Sequence, residues 1–221
     1  MRYFIEMSYD GAAYCGWQRQ RDVATVQQTL ETALTTLLRR DTETVGAGRT
    51  DTGVNASYYI AHFDAADAVD CAHLTACLLY TSDAADDSFR RFSSWQYGVT
   101  LDVEAMNRAA AFLTTVDDFT TFAKLNSNNK TNICHVMRAE WRQNGDMLTF
   151  TIRADRFLRN MVRAIVGTLV DVGRGGYTVA QFEDIVRSRD LSRSSAGAPP
   201  QGLFLSDVRY PDHIFIRGGR K

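Results

Sequence analysis

The stretch "NICHVMRAEWRQNGDMLTFTIRA", from Asn132 to Ala154, constrains the fold more than any other. Two segments of period-two alternation meet at Asn144-Gly145, a pair suited to the left-handed backbone of a tight hairpin turn. The spacing predicts an antiparallel hairpin with one face to bury. The period then changes. In "RFLRNMVRAIVGTLVDVG", Leu158, Met161, Val162, Ile165, Val166, Leu169 and Val170 form an apolar helical stripe, and Gly173 ends it. A second helix follows in "TVAQFEDIVRSRD" and a last strand in "GLFLSDVRYP", closed by Pro211. Upstream, "DVEAMNRAAAFL" is a helix with Asp102 as N-cap, and "DDFTTFA" is a turn carrying two phenylalanines. Helices packed on antiparallel strands define an α+β class.

The first part has similar content. "RYFIEMSYDG" alternates and ends in Asp-Gly, so it is a strand running into a turn. In "TVQQTLETALTTLLRR", Val26, Leu30, Ala33, Leu34, Leu37 and Leu38 share a helical face and Thr25 is the N-cap. "TETVGAG" is a short strand. "ASYYIAHFD" is another, with Tyr59, Ala61 and Phe63 on one face and Tyr58, Ile60 and His62 on the other. The order is β-α-β-loop-β, and "GAGRTDTGVNA" occupies the loop. The chain thus reads as two α+β halves, 1–100 and 101–221. One segment, "CLLYTSDAADDSFRRFSSW" from Cys77, fits neither pattern and reads as a loop.

Composition excludes several classes. With 221 residues, 45% hydrophobic and 23% charged, the chain can bury a core as an ordinary soluble protein. No apolar run approaches the ~20 residues that span a bilayer, so no membrane association is expected. Glu6 and Asp10 interrupt any signal-peptide pattern. Cys15, Cys71, Cys77 and Cys134 form no paired motif, which predicts reduced, mostly buried thiols in the cytoplasm. His62, His73, His135 and His213 do not cluster with them, so no metal site is expected. The net charge is −1, but its distribution is uneven. Acidic residues concentrate from Asp64 to Asp87. Arginines concentrate later, at Arg153, Arg156, Arg159, Arg163, Arg174, Arg187, Arg189 and Arg193. A basic C-terminal half able to meet phosphates and a surface of interspersed charges both fit this pattern.

Asp51 carries the chemistry to be explained. Asp51-Thr52-Gly53 is also the triplet of aspartic proteases, but those need two such aspartates sharing a proton. This chain has one, so a protease would be a homodimer, and the many helices argue against that. "GAGRTDTG" lacks the Gly-Lys-Ser/Thr ending of a phosphate-binding loop. A third reading makes Asp51 a nucleophile or base that Arg49 keeps ionised and oriented. A purely structural Arg-Asp bridge within the loop fits the same residues.

"GAGRTDTGVNA" closely resembles the signature Gly-Arg-Thr-Asp-Ala-Gly-Val-His-Ala of the TruA family of tRNA pseudouridine synthases. "YDGAAYCGWQRQ" with "TVQQTLETAL", "AHFD", "DDFTTFAK", "FLRNMVRAIVGTLVDVGRG" and "AGAPPQGLFLSDVRY" resemble further family segments, in the family's order. The resemblance implies isomerisation of uridine to pseudouridine at positions 38 to 40 of the tRNA anticodon stem-loop, by a cytoplasmic homodimer without metal or cofactor. It implies Asp51 as the catalytic nucleophile, toward ribose or base. Arg163 would pair with the Asp51 carboxylate. Arg49 and Thr50 would bind substrate, Arg49 near a flipped-out nucleotide. Arg156, Arg159 and Arg163 fall roughly on one side of the long helix, opposite its stripe. RNA contact and plain solvation both fit Arg156 and Arg159.

Departures from the family pattern are informative. Thr52 and Asn55 replace alanine and histidine, and the closing motif at 194–200 is a variant. The family's Phe-x-Ala-Arg and Tyr-x-Tyr elements, one tyrosine of which stacks on the target base, are missing. Neither Tyr80 nor Tyr97 has the neighbours for that role. "LLYTSDAADD" resembles adapter-derived sequence joined in place of a strand-and-loop block near 78–92. An active synthase and an RNA-binding relic that has lost catalysis are both compatible with this pattern.

Overall fold

The computed structural model describes residues 1–79, 94–95, 97–124, 130–145 and 147–209. In chain order its elements are β1 (Arg2–Tyr9), α1 (Val26–Leu38), β2 (Val45–Gly46), β3 (Asn55–Asp64), α2 (Cys71–Leu79), α3 (Val103–Phe112), β4 (Val136–Asn144), β5 (Met147–Ala154), α4 (Met161–Gly173), α5 (Val179–Ser188) and β6 (Phe204–Leu205). Short 3-10 turns cover 113–115, 120–122, 191–193 and 200–202. The chain divides into two units, Met1–Ser94 with Pro200–Lys221, and Trp95–Pro199. The class is α+β. Among the described residues no helix is long and apolar enough to cross a membrane.

In the first unit, β3 is the spine. β1 pairs with it antiparallel, Tyr3 opposite Phe63 and Met7 opposite Tyr59. β2 pairs antiparallel at Val45↔His62 and Gly46↔Ala61. β6 pairs parallel at Asn55↔Phe204 and Ala56↔Leu205. β1 takes one edge of β3, so β2 and β6 share the other. Among the described residues "GLFLSDVRYP" contributes two paired positions, Phe204 and Leu205. Pro211 lies outside the described residues. The alternation in β3 is realised, with Tyr59, Ala61 and Phe63 0–2% exposed. They meet Trp17, Val26 and Leu34 beneath α1.

Helix α1 starts where predicted, with the Thr25 side chain accepting from the Gln28 amide. Its buried face is different. Leu37 is exposed, while Val26, Gln27, Glu31 and Leu34 are buried. The apolar period missed the two polar residues because they are buried as a hydrogen-bonded set. Cysteine burial also departs from expectation: Cys134 is buried, Cys15 half-buried and Cys71 exposed.

The second unit is built on the expected hairpin, β4 against β5, closing at Asn144↔Met147. Asp102 caps α3 by accepting from the Ala105 amide at 2.9 Å. Thr178 and Gln181 form a reciprocal capping box on α5. Met106, Leu113, Phe119, Phe122, Met161, Ile165, Leu169 and Phe182 make one core, each at most 1% exposed. Both phenylalanines of "DDFTTFA" enter it.

Helix α4 begins at Met161, later than its stripe suggests. Asn160 takes a left-handed conformation, φ 65°, which no α-helix can continue through. Arg156 and Arg159 therefore precede the helix. They share no helical face with Arg163, which corrects the expected arginine stripe. Further along, Gly167 lets a second backbone approach. A Cβ there would lie 2.0 Å from the Ala196 carbonyl oxygen.

Gly167→Ala is expected to force these backbones apart and cost about 2 kcal/mol, the usual scale of overpacking. Thermal denaturation would show it as a lowered midpoint, and an unchanged midpoint would refute the contact.

Candidate active site

The Asp51 loop spans 47–54, between β2 and β3. It is fastened to the segment that leaves β1. Trp17 donates its amide to the Thr50 carbonyl at 3.2 Å, and Gly53 donates to the Tyr14 carbonyl at 3.2 Å. Within the loop Val54 donates to the Asp51 carbonyl at 3.1 Å, closing a turn around the aspartate. Gly16 allows this contact. Its φ is +84°, and a Cβ on it would sit 2.3 Å from the Thr50 oxygen. Asp51 is half-buried and Arg49 exposed.

Below the loop lie three aromatic rings. Trp17 and Tyr59 have centroids 4.4 Å apart, and Tyr9 meets Tyr59 edge-on at 5.5 Å. The two tyrosines each give the loop a polar contact. Tyr59 donates its hydroxyl to the Gly48 carbonyl. The Tyr9 and Thr50 hydroxyls share a hydrogen bond of 2.8 Å. Burial pushes the Tyr9 hydroxyl up to about 12, and the bond to Thr50 opposes this only in part. Thr50, expected to bind substrate, thus spends its hydroxyl on the aromatic floor.

Asn55 closes the other stem of the loop. It is 3% exposed. Its Oδ1 accepts from the Gly11 amide at 2.7 Å and its Nδ2 donates to the Gln201 carbonyl at 3.0 Å. Its own amide donates to the Leu203 carbonyl. The residue is a junction between the start of β3, the end of β1 and the segment before β6.

Arg163 lies in the second unit, half-buried on the first turn of α4. Its Nε donates to the Ala198 carbonyl at 2.7 Å, and the Ala198 amide donates back to the Arg163 carbonyl at 2.9 Å. This reciprocal pair depends on the close approach at Gly167. Arg49, Thr50 and Asp51 are brought together on one loop. Arg163 is held separately by its own unit.

A family model described as tRNA pseudouridine synthase matches residues 109–211. The tRNA pseudouridine synthase A of Bacteroides thetaiotaomicron is 44% identical over 254 residues, covering 100% of this chain and 94% of its own length. That of Parabacteroides distasonis is 43% identical over 246 residues, 97% of this chain and 98% of its own. That of Porphyromonas gingivalis is 40% identical over 251 residues, with 97% and 99% covered. The chain belongs to the tRNA pseudouridine synthase A family. The protease reading of Asp51-Thr52-Gly53 falls with that membership.

One feature of these matches concerns length. The Bacteroides match runs over 254 residues against 221 in this chain, so about 33 positions of the relative have no counterpart here. The expected foreign block near 78–92 and Tyr80 lie outside the described residues, apart from Leu78 and Leu79 at the end of α2. Among the described residues no group of three His, Cys, Asp or Glu side chains could hold a metal ion. The aromatic floor was not singled out as a site in the sequence. Its signal was present in Tyr9 at the end of β1, Trp17 in the segment that follows and Tyr59 in β3.

The raised Tyr9 hydroxyl has a consequence above neutral pH. A folded value above the ordinary 10 means the native state keeps a proton that the unfolded chain loses. The stabilisation is complete below pH 10 and disappears between pH 10 and about 12. Denaturant titrations across this range should show a falling midpoint in the native chain. Tyr9→Phe should flatten that part of the slope, and an identical slope would exclude the effect.

Proposed function

We propose that this chain isomerises uridine to pseudouridine at positions 38 to 40 of the tRNA anticodon stem-loop, as a cytoplasmic homodimer, with Asp51 as the nucleophile. The N1–C1′ bond of the target nucleotide breaks, the base turns, and a C5–C1′ bond forms. C5 loses its proton and N1 gains one, so nothing is oxidised or consumed. Asp51 attacks ribose or base. Arg49, exposed next to it, meets the flipped-out nucleotide, where a planar guanidinium can stack or bond. Arg163 pairs with the Asp51 carboxylate. Its Nε is committed to Ala198, which leaves the Nη groups for that pairing.

The observation that carries this reading is the immobilised backbone around Asp51. The residues on either side of the carboxylate are tied by main-chain bonds to Trp17 and Tyr14. A nucleophile held by its backbone needs no reorganisation to reach its target.

A second reading is favoured by the length difference. About 33 positions of the Bacteroides relative are missing. If they carry the base-stacking tyrosine, the chain binds tRNA without turning it over.

Tritium release from tRNA labelled at uridine C5 separates the two. Active enzyme releases tritium, and Asp51→Ala should lower the rate on the order of 10³-fold or more. No release from the folded native chain, restored by inserting the corresponding Bacteroides segment near residue 79, would establish the second reading. Full release from Asp51→Ala would sink the nucleophile assignment.

A further inference from the structure

Helix α1 buries a carboxylate that no step above uses. Glu31 is 5% exposed, on the face that packs under the sheet. Its Oε1 accepts three bonds: from the Thr44 amide at 2.9 Å, the Thr44 hydroxyl at 3.2 Å and Gln27 Nε2 at 3.2 Å. Its Oε2 is buried without a hydrogen-bond donor. The Arg19 guanidinium lies 3.2 Å away, as an ion pair without hydrogen-bond alignment. Gln27 extends the set. Its Nε2 also donates to the Thr44 carbonyl at 2.8 Å, and its Oε1 accepts from the Arg19 amide at 2.9 Å and from Gln18 Nε2 at 3.1 Å.

The connections form a closed circuit through three pieces of chain. α1 supplies Gln27 and Glu31. The loop after β1 supplies Gln18 and Arg19, directly after Trp17. The approach to β2 supplies Thr44. Both routes end at the Asp51 loop. Trp17 holds the Thr50 carbonyl, and Thr44 begins the stem that reaches residue 47 through a strand only two residues long. Two ladder positions are too few to fix a stem, so Thr44 needs an anchor from elsewhere. A buried charge is a poor choice for stability alone, because an apolar side chain of similar size avoids the desolvation cost. A carboxylate does what leucine cannot: one oxygen gathers three donors at a fixed point.

We infer that Glu31 is a positioning residue for the Asp51 loop, acting through Thr44 on the stem before the loop and through Gln27 on the 18–19 segment that follows Trp17. This rests on Asp51 being the reacting group. The test is amide hydrogen exchange, resolved by residue, on the full chain and on Glu31→Gln. The amides of Trp17, Ala47 and Gly53 should exchange about tenfold faster in the variant, while the Tyr3–Met7 and Tyr59–Phe63 ladder stays within about twofold. Thr44→Val, which removes only the hydroxyl donor, should show the same local pattern more weakly, and it decides the matter if Glu31→Gln does not fold. Unchanged exchange at these three amides overturns the inference. So does uniform acceleration, which marks Glu31 as support for the fold alone. Where tritium release is measurable, kcat should fall about tenfold with KM for tRNA unchanged. Local loosening in a native chain that releases no tritium would count against the proposed activity, not against the positioning role.

Discussion

The backbone of residues 11–17 lies directly against that of residues 50–54, with no side chain between them. A Cβ on Gly11 would meet the Val54 oxygen at 2.1 Å, and one on Gly16 the Thr50 oxygen at 2.3 Å. The rest of the first unit is arranged around this approach. Trp17 enters the space under the loop because its amide is spent on Thr50. Tyr59 then fills the gap between Trp17 and the sheet, and Tyr9 stands at its edge. The hydroxyls of both tyrosines have partners, as buried hydroxyls require. The loop is thereby seated on an aromatic floor whose two hydroxyls are both hydrogen-bonded to it.

The second unit repeats the device. Gly167 admits the Ala196 carbonyl, and the chain that follows exchanges bonds with Arg163 through Ala198. In both units a candidate site residue, Asp51 in the first and Arg163 in the second, stands beside a backbone locked by close approach. Interiors this dense transmit strain and do not absorb it.

The departure of Asn55 from the family's usual histidine has a physical account. The side chain is buried and answers two backbone groups, one donor and one acceptor. An amide supplies both functions at once. A neutral imidazole can do the same through its two nitrogens.

Much of the fold was legible because period and capping chemistry are local. The hairpin at Asn144-Gly145, the N-caps at Thr25 and Asp102, and the alternation in β3 depend only on neighbours in sequence. The motif around Asp51 was legible for the same reason, since its residues are contiguous. Other features depend on partners far along the chain. β6 takes its place by pairing with β3 from the far end of the chain. The late start of α4 follows from the left-handed turn at Asn160, which the apolar stripe does not encode. Gln27 and Glu31 look like surface residues of an amphipathic helix until Thr44 and the 18–19 loop close over them. The sequence by itself determined the α+β class, most of the elements and the motif that carries Asp51. Only tertiary structure decided what holds that aspartate still, because burial and hydrogen bonding between distant segments have no local signature.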